Sequence, residues 1–308
     1  MKVIKKNVAI WAIAAVALGG FGNISAAQGF GSSTMNFLKI GVGARALGMG
    51  SAFTSIADNP SAVYWNAAGL RRLESSQAEF SHQSWYQDVN IENLYVAIPG
   101  NKISFGAGIT YLNFGEIQSY DESGVQGEGL SMYNMAVSVS AAADLGEHVS
   151  VGVVAKYIEQ SFDIVKGSAF AGDIGLMADW RGIQAGVSAV NIGGKVTYLA
   201  EKEDLPASFR AGISFRQFDG KALFSLDTHS PFGGSLSMHQ GVEIDILDQL
   251  SARSGLSYQS GTPEGADAVS FNLGLGLRYG KGRFDYTFIP SDSYGSDAAH
   301  TFSISICW

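Results

Sequence analysis

The chain has 308 residues and a formal net charge of −8, with 39 glycines, 6 prolines and one cysteine. The acidic balance disfavours a nucleic-acid partner, because phosphate binding needs a basic surface, and the single thiol, Cys307, rules out an intrachain disulfide. Beyond residue 27 no run approaches the ~20 apolar residues of a spanning helix, so a membrane crossing would have to be made by strands.

Met1–Ala27 is predicted to be a cleaved secretory leader. Lys2, Lys5 and Lys6 form its basic start and residues 8–21 its short apolar centre. Ser25 and Ala27 are the small residues before a cut ahead of Gln28 or, alternatively, after Ala26. Its removal takes away three lysines and no acid, which brings the net charge to −11. The residue next to the cut is not cysteine, which argues against a lipid anchor. The expected location is the outer membrane of a Gram-negative-type cell.

Residues 28–75 make the next unit, and within it 31–70 do not alternate. The segment contains Gly43, Arg45, Gly48 and Gly50, then Asp58, Asn59 and Pro60, then Asn66 and Gly69. Gly41, Gly43 and Ala46 fit a G-x-G-x-x-A dinucleotide pattern. That pattern carries meaning only inside a βαβ unit, and no helical crossover follows, so the match is read as accidental. The segment is too apolar (Leu47, Met49, Phe53, Ile56, Tyr64, Trp65) to hang in the periplasm and too rich in glycine to span a bilayer. Burial inside a barrel is the reading these residues favour, and a periplasmic linker is the alternative.

From residue 76 to 308 the chain divides into alternating segments, predicted as strands near 76–83, 93–99, 102–113, 131–143, 148–160, 168–180, 182–191, 207–216, 220–229, 236–246, 249–259, 268–280, 282–289 and 297–308. In the clearest, Phe271, Leu273, Leu275, Leu277 and Tyr279 alternate with Ser270, Asn272, Gly274, Gly276 and Arg278. Short turns alternate with longer links, including 114–130, 161–167 and 192–206. The predicted fold class is therefore all-β: a transmembrane antiparallel barrel of about fourteen strands, with short turns on the periplasmic side and longer outer loops. A soluble sandwich would also alternate, but its exposed face would carry Lys and Glu rather than Gly, Ser and Asn.

The proposed strand ends carry aromatics at both rims, Trp180, Phe215, Tyr279 and Trp308 at one and Tyr111, Tyr157, Tyr258 and Phe288 at the other. The last strand sets His300, Phe302, Ile304, Ile306 and Trp308 on its apolar face, with Cys307 in the opposite row of small residues. Arg210, Arg216, Asp227, Glu243, Asp245, Arg253, Arg278, Arg283 and Asp285 share the inward parity of consecutive strands. Their mixed signs favour paired networks that hold whatever fills the lumen over a selectivity ring.

Catalytic and metal constellations are absent from the pattern. His82, His148, His229, His239 and His300 lack metal-ligand spacing, although His229 and His239 are expected to face each other across neighbouring strands. No serine sits in G-x-S-x-G. His300 with Ser291 or Ser293 has the wrong parity for a rim hydrolase. No enzyme activity, metal or cofactor is expected.

The stretch Gly43–Gly50, the turn Ala57–Pro60 and the run Asn66–Leu70 resemble the N-terminal signature of the PorV/PorQ family of outer-membrane proteins, which belongs with the FadL-type long-chain fatty acid transporters. Ala67 stands where that family usually has proline. The resemblance implies a fourteen-stranded barrel with residues 31–70 folded back as a hatch. It also implies an accessory role in protein secretion or surface attachment of the type IX kind, with secretion-system proteins or sorting-domain cargo as partners. Outer-membrane lipid and the barrel-assembly machinery are the other expected partners. The alternative function is a FadL-like passive channel for hydrophobic small molecules, with Phe53, Tyr64 and Trp65 as candidate lining of a hatch pocket.

Overall fold

The computed structural model describes residues 34–84, 89–118, 123–127, 129–198, 201–232, 234–260, 268–290 and 298–308. The predicted leader, Ser291 and Ser293 lie outside them. In chain order the strands are β1 Gln77–Ser84, β2 Asn90–Ile98, β3 Ile103–Ile117, β4 Leu130–Asp144, β5 Val149–Phe162, β6 Val165–Trp180 and β7 Ile183–Gly193. There follow β8 Val196–Tyr198, β9 Glu201–Glu203, β10 Ser208–Gln217, β11 Ala222–Pro231, β12 Ser237–Asp245, β13 Leu250–Gln259, β14 Ala268–Tyr279, β15 Gly282–Ile289 and β16 Ala299–Cys307.

All but β8 and β9 form one closed antiparallel barrel of fourteen strands, in which sequence neighbours pair, β7 pairs with β10, and β1 closes on β16. The seam runs from Gln77 opposite Cys307 to Ser84 opposite His300. Closure satisfies the backbone groups of every strand within the wall, the condition for crossing hydrocarbon. No helix among the described residues is long and apolar enough to cross a membrane.

The wall is inverted relative to a soluble protein. In β14, Leu273, Leu275 and Leu277 are exposed while Asn272 is buried. In β16, Phe302, Ile304 and Ile306 are exposed while Thr301 and Ser303 are buried. An apolar exterior and a polar interior are what a bilayer-spanning barrel needs. Trp180, Tyr279 and Trp308 stand exposed at the end where the short turns and the C-terminal strand end lie. At the other end Tyr111 stacks on Tyr133 with ring centroids 5.7 Å apart, and Tyr157 packs on Phe170 at 5.4 Å. His300 faces outward, within hydrogen-bonding distance of Tyr286 (2.9 Å). The Cys307 thiol is half-buried and donates to the Lys281 carbonyl.

Two local features depart from the sequence reading. The expected long link at 161–167 is a tight turn, because β5 and β6 continue to Phe162 and Val165 and are joined only by Asp163 and Ile164. Asp163 adopts φ 53°, a left-handed conformation that Asp tolerates better than most residues, so no glycine marks the turn. The link at 192–206 holds the small hairpin β8–β9, whose three-residue strands are too short to leave a periodic signal.

Candidate functional site in the barrel lumen

Residues 35–73 lie within the barrel as a series of short turns rather than a long element. They include the five-residue helix Ala44–Gly48, the single turn Ala62–Trp65, and 3-10 turns at Asn36–Lys39 and Ala67–Arg72. So rich a glycine content disfavours longer helices, and the turns are held by bonds to the wall. The Ala44 amide donates to Ser303 Oγ of β16 (2.7 Å), and Asn272 Nδ2 of β14 donates to the Leu47 carbonyl (2.6 Å). His239 Nδ1 of β12 donates to the Gly50 carbonyl (2.8 Å), and Ser225 of β11 to that of Ala52 (2.6 Å). The Thr54 amide donates to Asp227 Oδ2 (2.7 Å). Further round the wall, Ser188 of β7 reaches the Trp65 carbonyl (3.3 Å) and Ser150 of β5 that of Ala68 (3.2 Å).

The inward-facing glycines of the wall make this close approach possible. A Cβ on Gly255 would overlap the amide of Gly50, and one on Gly152 would overlap the Ala67–Ala68 peptide.

The predicted motif residues have distinct tasks. Gly43 (φ 81°) precedes the helix and Gly50 (φ 64°) ends the turn after it, in conformations that favour glycine. Gly48 packs against Gly274 of the wall, and Gly69 packs on the Ala57 carbonyl. The carbonyl of Pro60 accepts from Val63 in the turn that leads into Ala62–Trp65. Asn59 Nδ2 donates to Glu79 Oε2 of β1 (2.7 Å). Asn66 donates to the carbonyls of Thr54 and Leu176 (both 3.1 Å), while its own carbonyl caps Ala68. That cap forms the 3-10 turn without the proline absent at position 67.

Arg45 and Asp58 belong to a buried charge cluster. Arg45 donates from Nε and Nη2 to the two oxygens of Glu243 (2.8 and 2.9 Å), and also pairs with Asp58. Glu243 accepts from Arg253 Nε (2.6 Å), and Arg253 stands 2.8 Å from Asp285, which also pairs with Arg283. So Glu243, Arg253, Arg283 and Asp285 of the predicted inward charges meet in one network. Asp245 and Arg278 form a separate pair (3.0 Å), and Arg216 bonds the Gly220 carbonyl at an exposed turn. Arg210 sits 4.8 Å above the Tyr64 ring and 5.2 Å above Trp65.

Phe53, Tyr64 and Trp65 pack on each other edge to face, with Trp65 centroids 6.1 Å from Phe53 and 5.0 Å from Tyr64. Phe53 and Trp65 are almost fully buried. The His229 and His239 rings pack at a tilt of 30° with centroids 4.1 Å apart, and His239 Nε2 accepts from Ser237 (2.9 Å). Higher in the lumen Met35, Phe37 and Leu38 pack on Ile91, Leu112, Ala136, Ile158 and Val196. Among the described residues no group of three or more His, Cys, Asp or Glu side chains is arranged to hold a metal.

Sequence reasoning missed three inward charges, Glu79, Lys156 and Asp173. Lys156 and Asp173 pair at 2.7 Å across β5 and β6. Parity would have found Glu79, which alternates with Phe80. It is uninformative in β5, where Val151, Val153, Val154 and Ile158 put apolar residues on both faces.

The model of an uncharacterised protein family (UPF0164) matches residues 10–184. Among solved structures, the chain is similar to the CymD monoaromatic hydrocarbon channel, with TM-score 0.64 and 14% identity, over 87% of this chain and 98% of that one. It is similar to the Pseudomonas putida toluene transporter TodX (TM-score 0.64, 12% identity, 86% and 97% covered). It is also similar to a Pseudomonas aeruginosa FadL homologue (TM-score 0.55, 12% identity, 84% and 96% covered). At these identities the likeness shows a shared barrel fold. Comparison of the sequence with curated proteins gives no match.

Proposed function

The chain belongs to the uncharacterised protein family UPF0164, and from that premise we propose that it is a passive outer-membrane channel for hydrophobic small molecules, with residues 34–73 as its hatch. The carrying observation is what the lumen offers a solute. Its ion-paired charges are neutralised within the cluster, while Phe53, Tyr64, Trp65, Phe37 and Leu38 form buried aromatic and aliphatic packing along the segment. An apolar solute can take the place of apolar packing at little cost, whereas an ion would have to be desolvated beside groups already paired. The fold shared with channels and transporters described for monoaromatic hydrocarbons and toluene supports the same reading.

The test is uptake of an aromatic hydrocarbon and of a long-chain fatty acid by vesicles holding the purified barrel. Faster uptake of either than by empty vesicles is expected. Uptake of both at no more than the rate of empty vesicles would sink the proposal. A second reading, an accessory part in type IX secretion, is supported by the PorV/PorQ-like residues Gly43–Gly50, Ala57–Pro60 and Asn66–Leu70. It requires that sorting-domain proteins build up in the periplasm of a strain lacking the gene.

A further inference from the structure

The buried cluster around Glu243 divides cleanly between the two bodies that it joins. Arg45 and Asp58 belong to the hatch and pair with each other. Glu243, Arg253, Arg283 and Asp285 belong to the wall, and each carboxylate there has a guanidinium partner from the wall itself: Arg253 for Glu243 at 2.6 Å and Arg283 for Asp285 at 2.8 Å. Arg283 is also 3.5 Å from Glu243. Within this cluster the two bodies are joined by the two-pronged bond from Arg45 to Glu243.

Separating a buried ion pair is costly because it strands two charges. Here separation leaves Arg45 with Asp58 and Glu243 with Arg253, so neither charge is stranded. Glu79, the other acid facing this region, is held by Asn59 of the hatch and by Ser305 of the wall. The remaining bonds at this junction, Ala44 to Ser303, Thr287 to the Ala44 carbonyl, Asn272 to the Leu47 carbonyl and His239 to the Gly50 carbonyl, are uncharged groups that water can replace.

We propose that Arg45 and Glu243 form a reversible latch that sets how often the hatch leaves the β12–β16 side of the wall and so gates the channel. This deepens the hydrophobic-channel reading and rests on it. A permanent plug needs no internal counter-charge on each side; a latch that opens and recloses does.

The full-length barrel, reconstituted in planar bilayers and in vesicles with naphthalene as tracer, tests this. Four forms are compared: the native chain, Glu243→Gln, Arg45→Lys, and Ala44→Cys with Ser303→Cys in a Cys307→Ser background. Each is first shown to migrate as a folded, heat-modifiable barrel. Glu243→Gln is expected to raise ion conductance and naphthalene flux several-fold. Arg45→Lys should fall between it and the native chain, since one ammonium cannot span both carboxylate oxygens. The oxidised double-cysteine form should be shut and should reopen on reduction.

Equal conductance of the oxidised and reduced forms overturns the latch, as does native conductance in folded Glu243→Gln. If conductance follows the latch while naphthalene flux matches empty vesicles, the latch stands and the hydrophobic-channel reading falls. If naphthalene crosses equally in tethered and free forms, the latch falls and the channel reading stands.

Discussion

Gly50 and Gly255 meet backbone to backbone in the lumen: the amide of Gly50 occupies the space that a side chain on Gly255 would need. The left-handed φ of Gly50 (64°) turns the chain there, and the bond from His239 Nδ1 to its carbonyl holds it. Two glycines 205 positions apart in sequence thus fix one end of the helix Ala44–Gly48 against β13.

Gly255→Val should force the hatch from the wall without disturbing the strand ladder. Overpacking of this kind costs about 1–3 kcal/mol. The expected result is a folded barrel in which residues 34–73 become open to protease, read by limited proteolysis of the reconstituted protein. Unchanged protection would show that the contact does not hold the segment.

Asn66 is a second fastening, because its amide links Thr54 of the hatch to the Leu176 carbonyl of β6 and its carbonyl caps Ala68. Asn66→Ala leaves these buried groups unpaired, at about 1–3 kcal/mol. A lower urea midpoint for loss of the folded species is expected, and Asn66→Asp, which keeps only the cap acceptor, should recover only part of the loss.

Arg210 lies over both Tyr64 and Trp65 and bonds the Tyr64 hydroxyl (3.2 Å). Replacement by alanine removes a desolvated cation–π contact of about 2 kcal/mol and should make the Trp65 indole accessible. Acrylamide quenching measures this in a chain whose other tryptophans are replaced by phenylalanine. Quenching as slow as in the parent would mean that Trp65 is held by Phe53 and Tyr64 alone.

On the outside of the wall Leu275 sits mid-strand among exposed leucines, and Leu275→Arg should cost about 2–4 kcal/mol of insertion free energy. Refolding into vesicles across a denaturant series reads it. The same change at Leu145, exposed in a short turn, should cost far less.

The lumen shows where sequence reading stops. The inward parity of Glu243, Arg253, Arg283 and Asp285 is legible from alternation, and so is their mixed sign. Their meeting with Arg45 is not, because it depends on which strands become neighbours and on where the hatch crosses them. His229 and His239 are expected to face each other across neighbouring strands; the register sets them diagonally, His229 opposite Ser237 and His239 opposite Asp227, and brings their rings to 4.1 Å. Lys156 was missed because β5 carries apolar residues on both faces, so period two gives no contrast there; Asp173 was legible, because β6 alternates and places it inward between the exposed Phe170 and Ile174.

What the sequence determines by itself is local: a two-residue repeat assigns each side chain to one face of a strand, and turn residues count the strands. This suffices for the fourteen strands and their apolar exterior, because lipid and lumen differ at every step along the chain. The register in which β1 closes on β16, with Gln77 opposite Cys307, and the bond between Arg45 and Glu243, 198 residues apart, were decided only by the tertiary structure. The physical reason is that those contacts depend on a barrel circumference that no single segment contains.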